Sequence, residues 1–297
     1  WNAAATLSLP EKCMVAGFAG VPDVFPWKSG LSKGIDAKAF NASFFTQPDL
    51  FLRLRPGKQA AVLTKLEKAG QSFEQVTDTC IALPNTSKVG DIIALDQEAI
   101  VQDYNSQGIG DFMRPVKGNR ELMVWDCCAA SGGKSILAVD ILGPVRLVVS
   151  DIRESILANL KKRFQEAGIN QYRSFCADLS GQDAIPVTDR YDLVICDVPC
   201  TGSGTWGRTP EQLHYFDPVA IERYAARQKK ILLNVLAHVR PGGYLLYSTC
   251  SVFREENEAV VEFICAQSDL VPEKKEILTG YDRRADTLFG TLLRRPL

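Results

Sequence analysis

From Glu121 onward the chain repeats one pattern. A short apolar run ends in a break rich in Gly, Pro, Ser or Asp, and a longer stretch with apolar residues at helical spacing follows. The apolar runs Leu122–Cys127, Leu147–Ser150, Tyr172–Cys176, Leu193–Cys196 and Tyr244–Tyr247 predict five strands. Lys134–Leu142, Ile156–Ala167, Val219–Val239 and Glu256–Ala266 predict helices, with Gly168 and Pro241-Gly242-Gly243 as stops. Thr287–Leu293 predicts a last strand, at an edge. Buried strands alternating with helices predict an α/β fold, a doubly wound parallel sheet covered on both faces, over residues 119–297.

Upstream the pattern is weaker. Phe51-Leu52-Arg53-Leu54-Arg55 alternates apolar and basic positions, as a strand with one buried face does. Gln59–Ala69 has helical spacing and ends at Gly70, and Thr79–Leu83 and Asp91–Leu95 predict further strands. Residues 49–118 therefore read as a small α/β unit. In residues 1–48 only Asp36–Phe45 predicts an element, a short helix. No repeat or low-complexity segment stands out.

Composition narrows the function classes. At 297 residues and 46% apolar content the chain can bury a sizeable core. No apolar run approaches the roughly 20 residues that span a bilayer, so no membrane partner is expected. The chain opens at Trp1 rather than Met, which leaves room for upstream residues and makes the lack of a visible signal peptide weak evidence. The nine Cys are odd in number and several fall at strand ends, which suits reduced thiols in a cytoplasmic protein. With two His and no Cys-x-x-Cys pair, no metal site is expected. The net charge of −1 does not argue for nucleic acid, but it is uneven: residues 51–70 carry +4 and residues 283–297 carry +3. Arg53, Arg55 and Lys58 in the first patch are candidate phosphate contacts.

In open α/β sheets the chemistry lies beyond the carboxyl ends of the strands. Asp197, Pro199 and Cys200 follow the strand Leu193–Cys196 there, with Gly202 and Gly204 leaving space for a ligand. Taken singly, Asp197 reads equally as a turn acid and Cys200 as an apolar thiol. The loop Cys128-Ala129-Ala130-Ser131-Gly132-Gly133-Lys134 follows the first strand and opens a helix, whose free N–H groups and small neighbours suit a ligand. It lacks the G-x-G-x-x-G fingerprint and, with Cys128 in place of the first Gly, misses the P-loop pattern. Asp151, Asp178 and Asp197 end the second, third and fourth strands. Three acids at neighbouring strand tips beside a Gly-rich loop suit a ligand with a ribose, an amine and a sulfonium charge. Cys250 ends the fifth strand, so Cys200 and Cys250 are expected to face one pocket.

Cys128–Lys134, Asp197–Gly204 and Tyr247–Ser251 followed by Glu256-Asn257-Glu258 resemble the Nol/Nop/Sun family of S-adenosylmethionine-dependent RNA cytosine-5 methyltransferases. Val101–Gln107 is similar to the family's lead-in, and the resemblance runs from about Asp49 to the end. It implies a Rossmann-like class I methyltransferase domain with a small N-terminal α/β RNA-binding unit. S-adenosylmethionine would be held by Cys128, Ala129, Ala130, Ser131, Gly132, Gly133, Lys134, Asp151, Asp178 and Asp197. Cys250 would be the nucleophile, Cys200 its helper and Asp197 the group facing the base. The family loop usually carries Pro where this chain has Ser131. Ser reaches similar backbone angles, so donor binding is expected to survive.

The resemblance implies an RNA partner, ribosomal RNA first and transfer RNA second, and a monomer is expected. Two rivals stay open. A DNA cytosine-5 methyltransferase would use the Pro199-Cys200 thiol as nucleophile, and a methyltransferase-like RNA-binding assembly factor would bind donor without transfer.

Overall fold

The computed structural model describes residues 7–183 and 185–297. Its strands in chain order are β1 (Leu50–Leu54), β2 (Glu74–Thr77), β3 (Cys80–Leu83), β4 (Ala99–Val101), β5 (Leu122–Asp126), β6 (Val145–Asp151), β7 (Tyr172–Cys176), β8 (Tyr191–Asp197), β9 (Val239–Thr249), β10 (Val271–Leu278) and β11 (Leu288–Arg294). The helices are α1 (Leu9–Val15), α2 (Ala37–Ser43), α3 (Gln59–Lys68), α4 (Tyr104–Gly108), α5 (Gly110–Met113), α6 (Gly133–Leu142), α7 (Glu154–Glu166), α8 (Gln212–Tyr215), α9 (Val219–Leu236) and α10 (Glu258–Ala266).

A seven-stranded sheet runs in the order β10-β11-β9-β8-β5-β6-β7. The five strands from β9 to β7 are parallel, while β11 pairs antiparallel with β9 and β10 antiparallel with β11. Its central strands are apolar because both faces are covered. Val124, Leu193, Ile195 and Leu246 belong to one core with α6 and α7, and Trp125, Val194, Tyr247 and Leu245 to the other with α9 and α10. The parallel pairing sets the ends of β5, β6, β7, β8 and β9 side by side, and Asp197 stands opposite Ser248 in register.

The small unit is a four-stranded antiparallel sheet, β2-β3-β1-β4, with its own core of Leu52, Leu54, Val62, Leu66, Ile81 and Leu83. Residues 25–48 fold against the larger unit. Phe25, Trp27, Phe40 and Phe44 form an aromatic cluster with Trp206, Phe216 and Phe253, which brace the loops after β8 and β9.

Three expectations need correction, and two strands, β2 and β10, were not expected. Asp91–Leu95 is a turn, and the strand of that region is β4. The strand Glu74–Thr77 is mostly polar and gives no apolar signal. The strand over 287–293 is not at the edge, because β10, a charged segment carrying Glu273, Lys274, Lys275 and Glu276, pairs with it from outside. The helix α9 stops at Leu236, and Pro241-Gly242-Gly243 lies inside β9, where Gly242 has φ +72° and donates to the carbonyls of Arg295 and Pro296. Among the described residues no helix is long and apolar enough to cross a membrane.

Candidate active site

The loop between β5 and α6 is held in an unusual shape by its surroundings. Ala130 has φ +46° and Gly132 φ +86°; a Cβ on Gly132 would stand 2.6 Å from Phe164. The Ala130 N–H donates to Asp151 Oδ2 at 3.0 Å. Ser131 sits between the two strained residues, and its carbonyl and hydroxyl both accept from Arg163 Nη1 at 3.0 Å. Arg163 in turn pairs with Asp96 of the small unit.

Asp151, at the tip of β6, is buried and also accepts from the N–H and Nε of Arg153, each at 3.0 Å. Burial works to raise its pKa, but the hydrogen bonds and charge of Arg153 outweigh it and hold the carboxyl below the usual range. Asp178, just past β7, accepts from the Ser180 hydroxyl at 2.6 Å, which together with the Ser180 N–H lowers its pKa. A cavity of about 330 Å³ opens between these acids and α9, lined by Cys128, Asp151, Asp178, Asp197, Tyr224 and Arg227 among others.

Asp126 was not among the expected residues. It ends β5, is wholly buried, and accepts from Ser135 Oγ at 2.6 Å through Oδ2. Its Oδ1 has no partner among the described residues, and Asp126 lines a second cavity of about 330 Å³. Burial pushes its pKa up to about 7. Asp151, Asp178 and Asp197, with the small residues Cys128 and Ala130, line the first cavity, a lining that suits a ligand with a ribose, an amine and a cationic centre, while Asp126 lines the second.

The second cavity brings together a carboxylate, an ammonium and a thiol. Asp197 Oδ2 accepts from Lys134 Nζ at 2.7 Å, and Oδ1 accepts from Ser248 Oγ at 2.8 Å. Burial tends to lower the pKa of Lys134, but the charge and hydrogen bond of Asp197, with Cys250 and Asp126 behind, raise it, so the ammonium persists. Cys250 lines this cavity beside Lys134 and Asp197. Its Sγ lies 3.3 Å from that of Cys200, as the adjacency of β8 and β9 requires. Behind them Glu256 is fully buried and hydrogen-bonded to both cysteine loops. Glu256 was legible only as part of a motif, with no role attached.

The basic residues of the small unit sit elsewhere than expected. Arg53 is buried, its side chain 6% exposed, and pairs with Asp140 of α6 at 2.5 Å. Arg55 shares Asp140 at 2.8 Å and donates to the Ala167 carbonyl at 2.6 Å. Both guanidinium groups are spent fastening the small unit to the larger one, whereas Lys58 is exposed.

The strand order, the small-residue loop and the acids at the strand tips define a Rossmann-like methyltransferase fold. The chain belongs to the 16S rRNA methyltransferase RsmB/F family, whose profile matches residues 113–282. It is 28% identical over 239 residues to a probable ribosomal RNA small subunit methyltransferase B of Synechocystis sp., covering 76% of this chain and 52% of that protein. It is 30% identical over 238 residues to ribosomal RNA small subunit methyltransferase B of Erwinia tasmaniensis, covering 75% and 52%. The chain spans about half the length of these curated relatives. Among solved structures, NSun6 from Pyrococcus horikoshii with SFG superposes with a TM-score of 0.77 at 15% identity, covering 92% of this chain and 99% of that one. A methyltransferase homolog from the same organism gives 0.72 at 20% identity, covering 98% and 99%. At these identities the likeness is one of fold.

Proposed function

We propose that this chain transfers a methyl group from S-adenosylmethionine to carbon 5 of a cytosine in ribosomal RNA. The observation that carries this reading is a shared wall. Cys128, Ala130 and Asp197 line both the cavity reaching Asp151 and Asp178 and the cavity exposing Cys250. A donor in the first and a base in the second meet at Asp197.

The donor's place is Cys128–Lys134 with Asp151, Asp178 and Asp197, and what it supplies is an electrophilic methyl group. Carbon 5 of cytosine is too weak a nucleophile to take it unaided. The Cys250 thiolate adds to carbon 6, and the displaced electron pair makes carbon 5 enamine-like. Asp197, oriented by Lys134 and Ser248, hydrogen-bonds the N3/N4 edge and stabilises the charge that develops. Once carbon 5 carries the methyl group, its proton passes to water, and the freed electron pair re-forms the ring double bond as the carbon–sulfur bond breaks and its pair leaves with the Cys250 sulfur, to which Cys200 donates a hydrogen bond. The base must come from a single strand or be flipped out of a helix, and the exposed Lys58 is the candidate contact for its backbone.

Bisulfite sequencing tests this after the purified chain has been incubated with donor and either small-subunit ribosomal RNA or transfer RNA. A newly protected cytosine in the ribosomal RNA is expected. Protection confined to transfer RNA would change the substrate. Donor binding with no protection anywhere would make the protein a binding factor.

A further inference from the structure

The two thiols differ in what surrounds them. Cys250 lines a cavity with the ammonium of Lys134, while Cys200, equally half-buried, is not part of that lining and feels the charge of Glu256. Four donors reach the buried Glu256 carboxylate. Oε1 accepts from the Thr201 N–H at 2.9 Å and Gln228 Nε2 at 3.1 Å, and Oε2 from the hydroxyls of Thr201 at 2.6 Å and Ser251 at 2.5 Å. Thr201 follows Cys200 and Ser251 follows Cys250, so one carboxylate ties both cysteine loops together. Burial raises the Glu256 pKa, and the hydrogen bonds from Ser251, Thr201 and Gln228 work against it; four converging donors are what an ionised carboxylate asks for.

The titratable groups facing Cys200 are Cys250 and Tyr247, from β9 and the loop after it, and Glu256 from the turn before α10. From α9 comes the neutral Gln228, which also donates to the Pro199 carbonyl and accepts from the Tyr247 hydroxyl. The hydrogen bond with Cys250 pushes the Cys200 thiol up most, followed by burial and the charges of Cys250 and Glu256.

We propose that Glu256 is the positioning residue that divides labour between the thiols: it fixes the two sulfurs in contact and keeps Cys200 as the proton-bearing partner, leaving Cys250, on the Lys134 side, to attack. This deepens the function proposed above. With Cys200 protonated, the thiol can donate to the Cys250 sulfur as the carbon–sulfur bond breaks and its electron pair returns to sulfur. Were Cys200 ionised, it would have no proton to donate, and the Cys250 thiolate leaving carbon 6 would form 3.3 Å from a like charge.

The test needs neither RNA nor donor. Iodoacetamide alkylation of the wild-type chain, read peptide by peptide across pH, is expected to reach half-maximal rate at lower pH for Cys250 than for Cys200. In a Cys250→Ser background, Glu256→Gln is expected to lower the Cys200 midpoint by about one pH unit, roughly a tenfold faster reaction at a fixed pH below it. Glu256→Asp keeps the charge and is expected to hold the midpoint near that of the background. An unchanged midpoint in Glu256→Gln overturns the proposal, as does an equal or reversed order of the two thiols in the wild type. The wild-type comparison decides even if Glu256→Gln fails to fold. A failure to methylate RNA, with the thiol order as expected, would overturn only the function.

Discussion

Cys200 Sγ and Cys250 Sγ lie 3.3 Å apart, yet of the two only Cys250 lines the cavity that holds Lys134 and Asp197. Cys250→Ala is therefore expected to abolish turnover and form no covalent complex. Cys200→Ala is expected to attack and methylate but to remain bonded to the RNA. A denaturing gel after incubation with RNA and labelled donor separates the cases. A shifted band from Cys250→Ala and none from Cys200→Ala would hand the nucleophile to Cys200, as in the DNA-type arrangement.

Asp151, at the tip of β6, holds the loop between β5 and α6 through the Ala130 N–H. Asp151→Ala is expected to weaken S-adenosylmethionine binding by about 1–3 kcal/mol, the usual loss when a charged group's hydrogen bonds go. Calorimetry showing undiminished affinity would remove Asp151 from the donor site.

Arg53 is a fastener between the two units. Arg53→Ala leaves Asp140 still paired with Arg55, so a loss of about 1.5–3 kcal/mol in unfolding free energy is expected from removing one charged hydrogen-bonded contact. The salt slope of RNA binding is expected to stay as it was, since a buried guanidinium releases no counterion. In Lys58→Ala the slope is expected to flatten, by up to about 0.7 for one lost single-strand contact. Denaturant melts and binding titrations across salt read both.

Gly204 is wedged between two chain segments. It donates to the Cys250 carbonyl at 2.8 Å and accepts from the Thr287 N–H at 2.9 Å, and a Cβ there would stand 1.9 Å from the Thr287 oxygen. Gly204→Ala is expected to cost roughly 3 kcal/mol, at the upper end for overpacking, and to loosen the Cys200 loop. A thermal melt matching the wild type would contradict this.

Asp126 carries a pH signature. Its carboxyl titrates at about 7 in the fold against 3.8 for the ordinary group, so the folded chain holds the proton longer. Its contribution to stability is full below about pH 4 and is lost as pH rises through 7. Asp126→Asn cannot ionise, so its stability is expected to fall less than that of the wild type across this window. Parallel curves in denaturant melts at pH 4 to 7.5 would deny the shift.

Much of this was written in local patterns. The five parallel strands, the helix after the donor loop and the acids at the strand tips each need only a window of a few residues, because apolar period and Gly, Pro and Asp punctuation are local signals. The meeting of Cys200 with Cys250 followed from their strands being neighbours. What packs on a polar face from far along the chain was not written locally. Arg53 and Arg55 alternate with leucines like an exposed basic face, but Asp140 reaches them from α6 and buries them. The strand over 287–293 looked like an edge because the segment that covers it is charged and gives no apolar signal. Residues 25–48 showed only a short helix, and it took the fold to gather their aromatics around Trp206 and Phe253. Glu256 stood in a recognisable motif, but only the tertiary structure set its carboxylate between two loops 50 residues apart, since burial and hydrogen-bond partners depend on the whole chain.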